Sequence, residues 1–160
     1  MSDHGEPQRL DTETHVFFYE NDFYPLSNFS AFRLHWKGVD FDTSEHAYHW
    51  EKFVGHPGIR EAIRSARSAH AAFKLAETHR GAVRPDWPAV RVDIMREILR
   101  AKAGQHPYVW RKLLATGDRV LVEDSWRDGF WGWGPERAGQ NVLGTLWMEI
   151  RAELRAGAAQ

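Results

Sequence analysis

Thr43-Ser44-Glu45-His46-Ala47-Tyr48-His49-Trp50-Glu51-Lys52 is the stretch on which the fold turns. Upstream, apolar residues alternate in period two; from here on they recur at helical spacing. A helix is expected from Asp42 or Thr43 to about Val54, before the breaker run Gly55-His56-Pro57-Gly58. On that helix Glu45, His49 and Lys52 fall at i, i+4 and i+7, within a stripe ~60° wide. Ala47, Trp50 and Val54 form the apolar stripe opposite. Tyr48 and Phe53, both large rings, flank the ionic row. That row therefore reads as a pocket wall, not a solvated face.

Each member also has a plain structural reading. With Asp42 as N-cap, Glu45 completes a capping box. Lys52 alone is a surface lysine, too far from Glu45 for a single-turn ion pair. His46 and His49, one turn apart, invite a metal, but no third ligand is in view, so no metal is expected.

Working back from this helix, Phe32-Arg33-Leu34-His35-Trp36 and Val39-Asp40-Phe41 alternate across Lys37-Gly38 and predict a β-hairpin. Val16-Phe17-Phe18-Tyr19 predicts a strand, and Pro25-Leu26-Ser27-Asn28-Phe29 a loop. Working forward, Ile59, Ala62, Ile63 and Ala66 mark one helix, and Ala69, Ala72, Phe73 and Ala76 another. Trp87-Pro88 opens a third, with Val90, Ile94, Met95, Ile98 and Leu99 as its buried stripe. A helix from His106-Pro107 through Leu114 closes at Thr116-Gly117-Asp118. Arg119-Val120-Leu121-Val122-Glu123 predicts a strand, and Asn141 is placed to cap a last helix buried through Leu143, Leu146, Trp147, Ile150 and Leu154. Strands and helices do not alternate as βαβ units would. The expected class is α+β, one mainly helical domain over residues 14–155, with residues 1–13 and 156–160 as disordered ends.

Between that strand and the last helix lies Asp124-Ser125-Trp126-Arg127-Asp128-Gly129-Phe130-Trp131-Gly132-Trp133-Gly134, without periodicity and with three of the chain's eight tryptophans. Long aperiodic stretches within a domain are usually functional. So much glycine beside so many rings suggests close backbone approach to something. Asp128 reads equally as a turn residue. Acids, a base and a lysine facing stacking rings suit chemistry on a flat, sugar-linked ring.

Composition narrows the classes. The 160 residues are 42% hydrophobic and 27% charged, in the ordinary globular range. A formal charge of −1 gives no field for bulk nucleic-acid or membrane binding. The absence of cysteine excludes disulfides, a thiolate nucleophile and cysteine-held metals. The polar N-terminus is no signal peptide, and no apolar run reaches ~20 residues. A soluble cytoplasmic protein without a membrane partner is expected.

Several linked motifs carry a resemblance. They are Phe17 onward through Ser27-Asn28-Phe29, Thr43-Ser44-Glu45-His46 with Lys52, Trp87 before the Met95 helix, and Leu99-Arg100-Ala101-Lys102. They continue with Leu113 to Thr116, Leu121-Val122-Glu123, Asp128-x-x-Trp131-Gly132-x-Gly134, Asn141-x-Leu143-Gly144 and Met148-Glu149-x-Arg151. In order and spacing the chain resembles the NADAR family, the YbiA-like N-glycosidases, over about residues 15–154. The resemblance implies the NADAR fold and hydrolysis of an N-glycosidic bond to a ribose phosphate, with no cofactor. It implies two substrate classes: phosphoribosylamino-pyrimidine intermediates of riboflavin biosynthesis, and ADP-ribose on guanine in nucleic acid, where ADP-ribosylation is reversed. It places catalysis on Glu45, Lys52 and Asp128. It places substrate contacts on Asn28, Phe29, His49, Trp87, Lys102, Trp131, Gly132 and Asn141. His49 departs from the family pattern, which usually has Gln there. The alternative is a non-catalytic module that binds ADP-ribose or NAD.

Overall fold

The computed structural model describes residues 11–19, 24–125 and 127–158. Trp126 and residues 1–10, the greater part of the expected disordered N-terminus, lie outside them. The elements in chain order are β1 (His15–Phe18), β2 (Leu34–Trp36), β3 (Val39–Phe41), α1 (Ser44–Glu51), α2 (Pro57–Arg64) and α3 (Ala69–Thr78). They continue with α4 (Trp87–Gln105), α5 (Pro107–Ala115), β4 (Val120–Glu123) and α6 (Val142–Ala158). The class is α+β and mainly helical.

Contacts divide the chain into two compact units. One runs from Asn28 to His106; the other joins the residues up to Ser27 with those from Pro107 onward.

In the Asn28–His106 unit, β2 and β3 pair antiparallel, Leu34 with Phe41 and Trp36 with Val39. Lys37 (φ 50°) and Gly38 (φ 78°) both adopt left-handed backbone. Two such residues make the turn whose twist matches a tight hairpin. Helix α1 contacts α2, α3, α4 and both hairpin strands, so it has almost no outer face. Ser44 through His49 and Glu51 are all buried. This corrects the amphipathic expectation. Val54, assigned to the apolar stripe, is half exposed at 51%. Phe53, assigned to a pocket shoulder, is fully buried with Ile63, Ala66, Ala72 and Ala76. The small side chains of α2 and α3 leave the space that this ring fills.

In the other unit, β1 and β4 pair parallel, His15 with Val120 through Phe18 with Glu123. Ahead of β1, Asp11 Oδ1 accepts from Phe17 N at 2.8 Å. Helix α6 packs on β4, where a Cβ on Gly144 would meet Leu121 O at 2.1 Å. Only glycine allows that approach. Trp147 is buried and its Nε1 donates to Leu26 O at 2.8 Å. Helix α6 continues to Ala158, through part of the tail expected to fray from residue 156. Among the described residues no helix is long and apolar enough to cross a membrane.

Candidate active site

The N-cap of α1 is Thr43, not Asp42. Its Oγ1 accepts from His46 N at 3.2 Å and lies 2.8 Å from His46 Nδ1. The capping box therefore dissolves: Glu45 is the second helical residue, and His46 occupies the third. The opposite ring nitrogen of His46 bonds Ala66 O at 2.9 Å. Both of its nitrogens are thus engaged in holding the helix start.

Glu45 is left for other work. Its backbone N donates to Asn28 O at 3.1 Å, which fixes where α1 begins. Its side chain, 8% exposed, bonds His49 Nε2 through Oε2 at 3.0 Å. The hydrogen bond to His49 is made by Oε2, and Oε1 makes none among the described residues. The His49 ring meets Tyr48 edge-on at 5.3 Å and Phe73 at 5.8 Å. Tyr48 in turn packs on Trp87 at 5.0 Å. The Lys52 amine lies over both rings, 5.4 Å from Tyr48 and 5.8 Å from Trp87. Burial holds the Lys52 pKa below the ordinary lysine value, while Glu45 and Glu77 push it up and Arg91 pushes it down. Glu45, His49, Lys52 and Trp87 thus form one cluster, and the expected pocket wall is made by Tyr48, Trp87 and Phe73.

The sequence reading missed Phe73, Glu77 and Arg91 as members. Phe73 had been assigned to the buried stripe of α3, but it is 36% exposed and covers His49. Its signal is a large ring beside a stripe otherwise made of alanines.

Of the remaining residues expected in this unit, Asn28 is tied to the cluster through its O, which accepts from Glu45 N. The Asn28 side chain donates to Met95 Sδ at 3.5 Å, and its Oδ1 is buried without a partner among the described residues. Phe29 is 36% exposed. Lys102 is fully buried, and its Nζ donates to Ser30 Oγ at 2.9 Å. Burial alone lowers its pKa to about 7. Its position follows from the helical period: Met95, Ile98, Leu99 and Lys102 share the inward stripe of α4.

In the other unit, the loop after β4 is held mainly by its own backbone. Trp133 N donates to Glu123 O, Gly139 N to Trp133 O, Asn141 N to Gly132 O and Leu143 N to Trp131 O. The glycines serve this self-packing. A Cβ on Gly132 would lie 2.8 Å from Glu123 O, and one on Gly139 2.7 Å from Gly129 O. The close backbone approach expected of so much glycine is, at these positions, to β4 and to the loop itself. Asp128 realises its turn reading, since Oδ1 accepts from Phe130 N at 2.9 Å and Trp131 N at 2.8 Å. Oδ2 makes no hydrogen bond among the described residues.

Trp131 is half-buried, edge-on to Phe130 at 4.9 Å. Trp133 packs on Phe17 at 5.0 Å and donates from Nε1 to Asp124 Oδ1. Asn141 was expected as a helix cap and a ligand contact. It stands just before α6, its O accepting from Thr145 N at 3.1 Å, and its side chain clamps β4, with Oδ1 accepting from Glu123 N at 2.9 Å and Nδ2 donating to Leu121 O at 2.8 Å. Its φ of 50° turns the chain into α6.

A family model described as the NADAR domain matches residues 17–155. N-glycosidase YbiA of Escherichia coli (strain K12) is 36% identical over 149 residues, 92% of each chain. N-glycosidase Npun_R5314 of Nostoc punctiforme is 37% identical over 144 residues, 88% of this chain and 92% of that one. The riboflavin biosynthesis protein VVA0006 of Vibrio vulnificus is 37% identical over 145 residues, 89% of this chain but 39% of that protein. The solved NMR structure of E. coli YbiA superposes with a TM-score of 0.84 at 34% identity, covering 94% of this chain and 90% of that one.

Proposed function

The chain belongs to the NADAR domain family, and from that premise we propose that it hydrolyses the N-glycosidic bond between a phosphoribosyl or ADP-ribosyl group and a base-like amine. The coarser activity carries over from relatives named N-glycosidase: the chain is a hydrolase acting on N-glycosyl compounds. A relative named for riboflavin biosynthesis supports phosphoribosylamino-pyrimidines as one substrate class. ADP-ribosylated guanine, free or in nucleic acid, is the other.

One observation carries the reading. A buried carboxylate, an imidazole and a lysine amine share one helix face, edged by Tyr48, Trp87 and Phe73. Cleaving a ribosyl C–N bond builds positive charge at the anomeric carbon. Oε1 of Glu45, without a hydrogen bond among the described residues, supplies negative charge against which that cation forms. Tyr48 and Trp87, both buried, wall the row, and Phe73, 36% exposed, is the ring a base can meet. Lys52 as an ammonium holds phosphate or a ribose hydroxyl.

Burial of Lys52, which favours its neutral form, supports a second role. A neutral amine attacks the aldehyde of a ring-opened sugar, forming a Schiff base and releasing water. The clamp is preferred because it needs no deprotonation. Asp128 and Trp131 are proposed as substrate-facing members of the other unit.

The test runs both substrates side by side. Free ribose 5-phosphate from a phosphoribosylamino-pyrimidine, or free ADP-ribose from ADP-ribosylated guanosine, identifies the substrate class. Saturable binding of ADP-ribose without release from either would make the protein a binding module. Asp128→Asn in the same assays assigns or removes the second carboxylate.

A further inference from the structure

Lys52 is the first residue past α1, and its carbonyl is one that the helix itself cannot answer. Arg84 N answers it at 2.8 Å. Three residues on, Trp87 N donates back to Arg84 O at 3.1 Å. Arg84-Pro85-Asp86-Trp87 is therefore a β-turn, with proline in its second place and Asp86 in its third at φ −84° and ψ 5°. Both are the marks of a type I turn. The backbone of one residue thus joins the lysine to the tryptophan over whose ring its amine lies, 5.8 Å away.

The turn is braced by its own side chains. Arg84 Nε and Nη2 fork on the two Asp86 oxygens at 2.6 and 2.9 Å, a planar two-point grip that lysine cannot reproduce. Asp86 stands where a helix cap belongs, directly before the 19 residues of α4, yet its side chain makes no capping bond. Its carboxylate is committed to Arg84 instead. Glu51 Oε1 lies 3.9 Å from Arg84 Nη1, beyond hydrogen-bond reach, so the Asp86 fork does the holding.

We propose that Arg84 is a positioning residue of this active site: its fork on Asp86 fixes the turn that sets Lys52 against Trp87. This rests on the reading of the α1 face as the site, with Lys52 as the ammonium that grips substrate. Such a grip works only in a narrow range of positions, and neither helix alone fixes this one. Lys52 lies past the last residue of α1 and Trp87 is the first of α4, where helices fray. The Arg84 turn spans the two ends.

The experiment measures kcat, KM and melting temperature for Arg84→Ala, Arg84→Lys and Asp86→Asn on whichever of the two substrates the wild type cleaves. All assays run well below the lowest melting temperature, so that only folded protein is compared. Expected is a KM about three- to tenfold higher in each variant, with kcat within about threefold. Arg84→Lys keeps the charge and loses the fork, so it should not restore the wild-type KM. Asp86→Asn is a small change at a half-exposed position and keeps the test open if Arg84→Ala does not fold.

Each variant is also combined with Lys52→Met and read from the Kd of the released product, ribose 5-phosphate or ADP-ribose, which needs no turnover. There each change should move Kd by less than about twofold, because the amine it positions is gone. A merely structural arginine would lower the melting temperature and leave KM alone, as Glu51→Ala is expected to do. Wild-type KM in Arg84→Lys or in Asp86→Asn, or full additivity with Lys52→Met, overturns the proposal while leaving Lys52 in the site. Normal kinetics in Lys52→Met, or no cleavage of either substrate by wild type, overturns the site reading and the proposal with it.

Discussion

Helix α1 carries two buried glutamates six residues apart, and their surroundings differ in kind. Glu51, 1% exposed, is surrounded by cationic and N–H groups. Trp36 Nε1 donates to Oε2 at 2.7 Å and Lys37 Nζ lies 2.8 Å from the same oxygen, while Arg60 and Arg84 approach Oε1 at 3.8 and 3.9 Å. These partners come from the hairpin, from α2 and from the segment before α4. Arg84 N also donates to Lys52 O at 2.8 Å. Glu45 is buried almost as deeply but has one histidine and a free oxygen. A carboxylate ringed by counter-charges from three elements joins those elements together. One with a single histidine partner and an oxygen left over is available for chemistry.

Three substitutions can break or sharpen this contrast. Glu45→Gln should lower turnover ~10²-fold or more while the melting temperature stays nearly unchanged, since the backbone bond to Asn28 remains. An inactive protein that is also unfolded would return Glu45 to a structural role.

Glu51→Ala should act the other way round, with urea unfolding showing a loss of about 2–3 kcal/mol. The Trp36 N–H and the guanidinium groups lose their acceptor, although Lys37, largely exposed, can turn to water. Substrate affinity of the folded fraction should be near wild type. A stable Glu51→Ala protein without activity would mean that the two acids have been assigned in reverse.

Lys52→Met should raise KM about tenfold under the clamp reading, the weight of one charge-assisted contact. Only the ammonium grips phosphate, so wild-type affinity should fall as pH rises through the Lys52 pKa. Burial starts that fall below the ordinary lysine range, and the variant should show no such fall. Borohydride trapping of a sugar on wild type but not on Lys52→Met would replace the clamp with the Schiff base. Normal kinetics in the variant would remove Lys52 from the site.

Much of the active face could be read along one helix. Glu45, His49 and Lys52 keep their angular relation wherever α1 packs, because the 3.6-residue period is local. What surrounds them is not local. Phe73 on α3 and Trp87 at the start of α4 reach the row only through helix packing, and Phe53 leaves it because Ala66, Ala72 and Ala76 open a space on the far side. The cap moved from Asp42 to Thr43 because both residues can cap, and only the observed hydrogen bond decides between them. The glycine-rich loop was legible only in part for a related reason. Composition announces close backbone approach but not the partner, which here is β4 and the loop itself.

The sequence by itself determined which segments are helix and strand and where the hairpin turns. It also carried the family motifs, because propensity, turn chemistry and hydrophobic period act over a few residues. Tertiary structure alone decided that β1 lies parallel to a strand a hundred residues away, and that Asn141 clamps that strand. It also decided that of two acids on one helix, Glu51 is closed off and Glu45 left open. Those outcomes depend on groups brought together from distant elements, and the burial that gives each contact its energy exists only once those elements have packed.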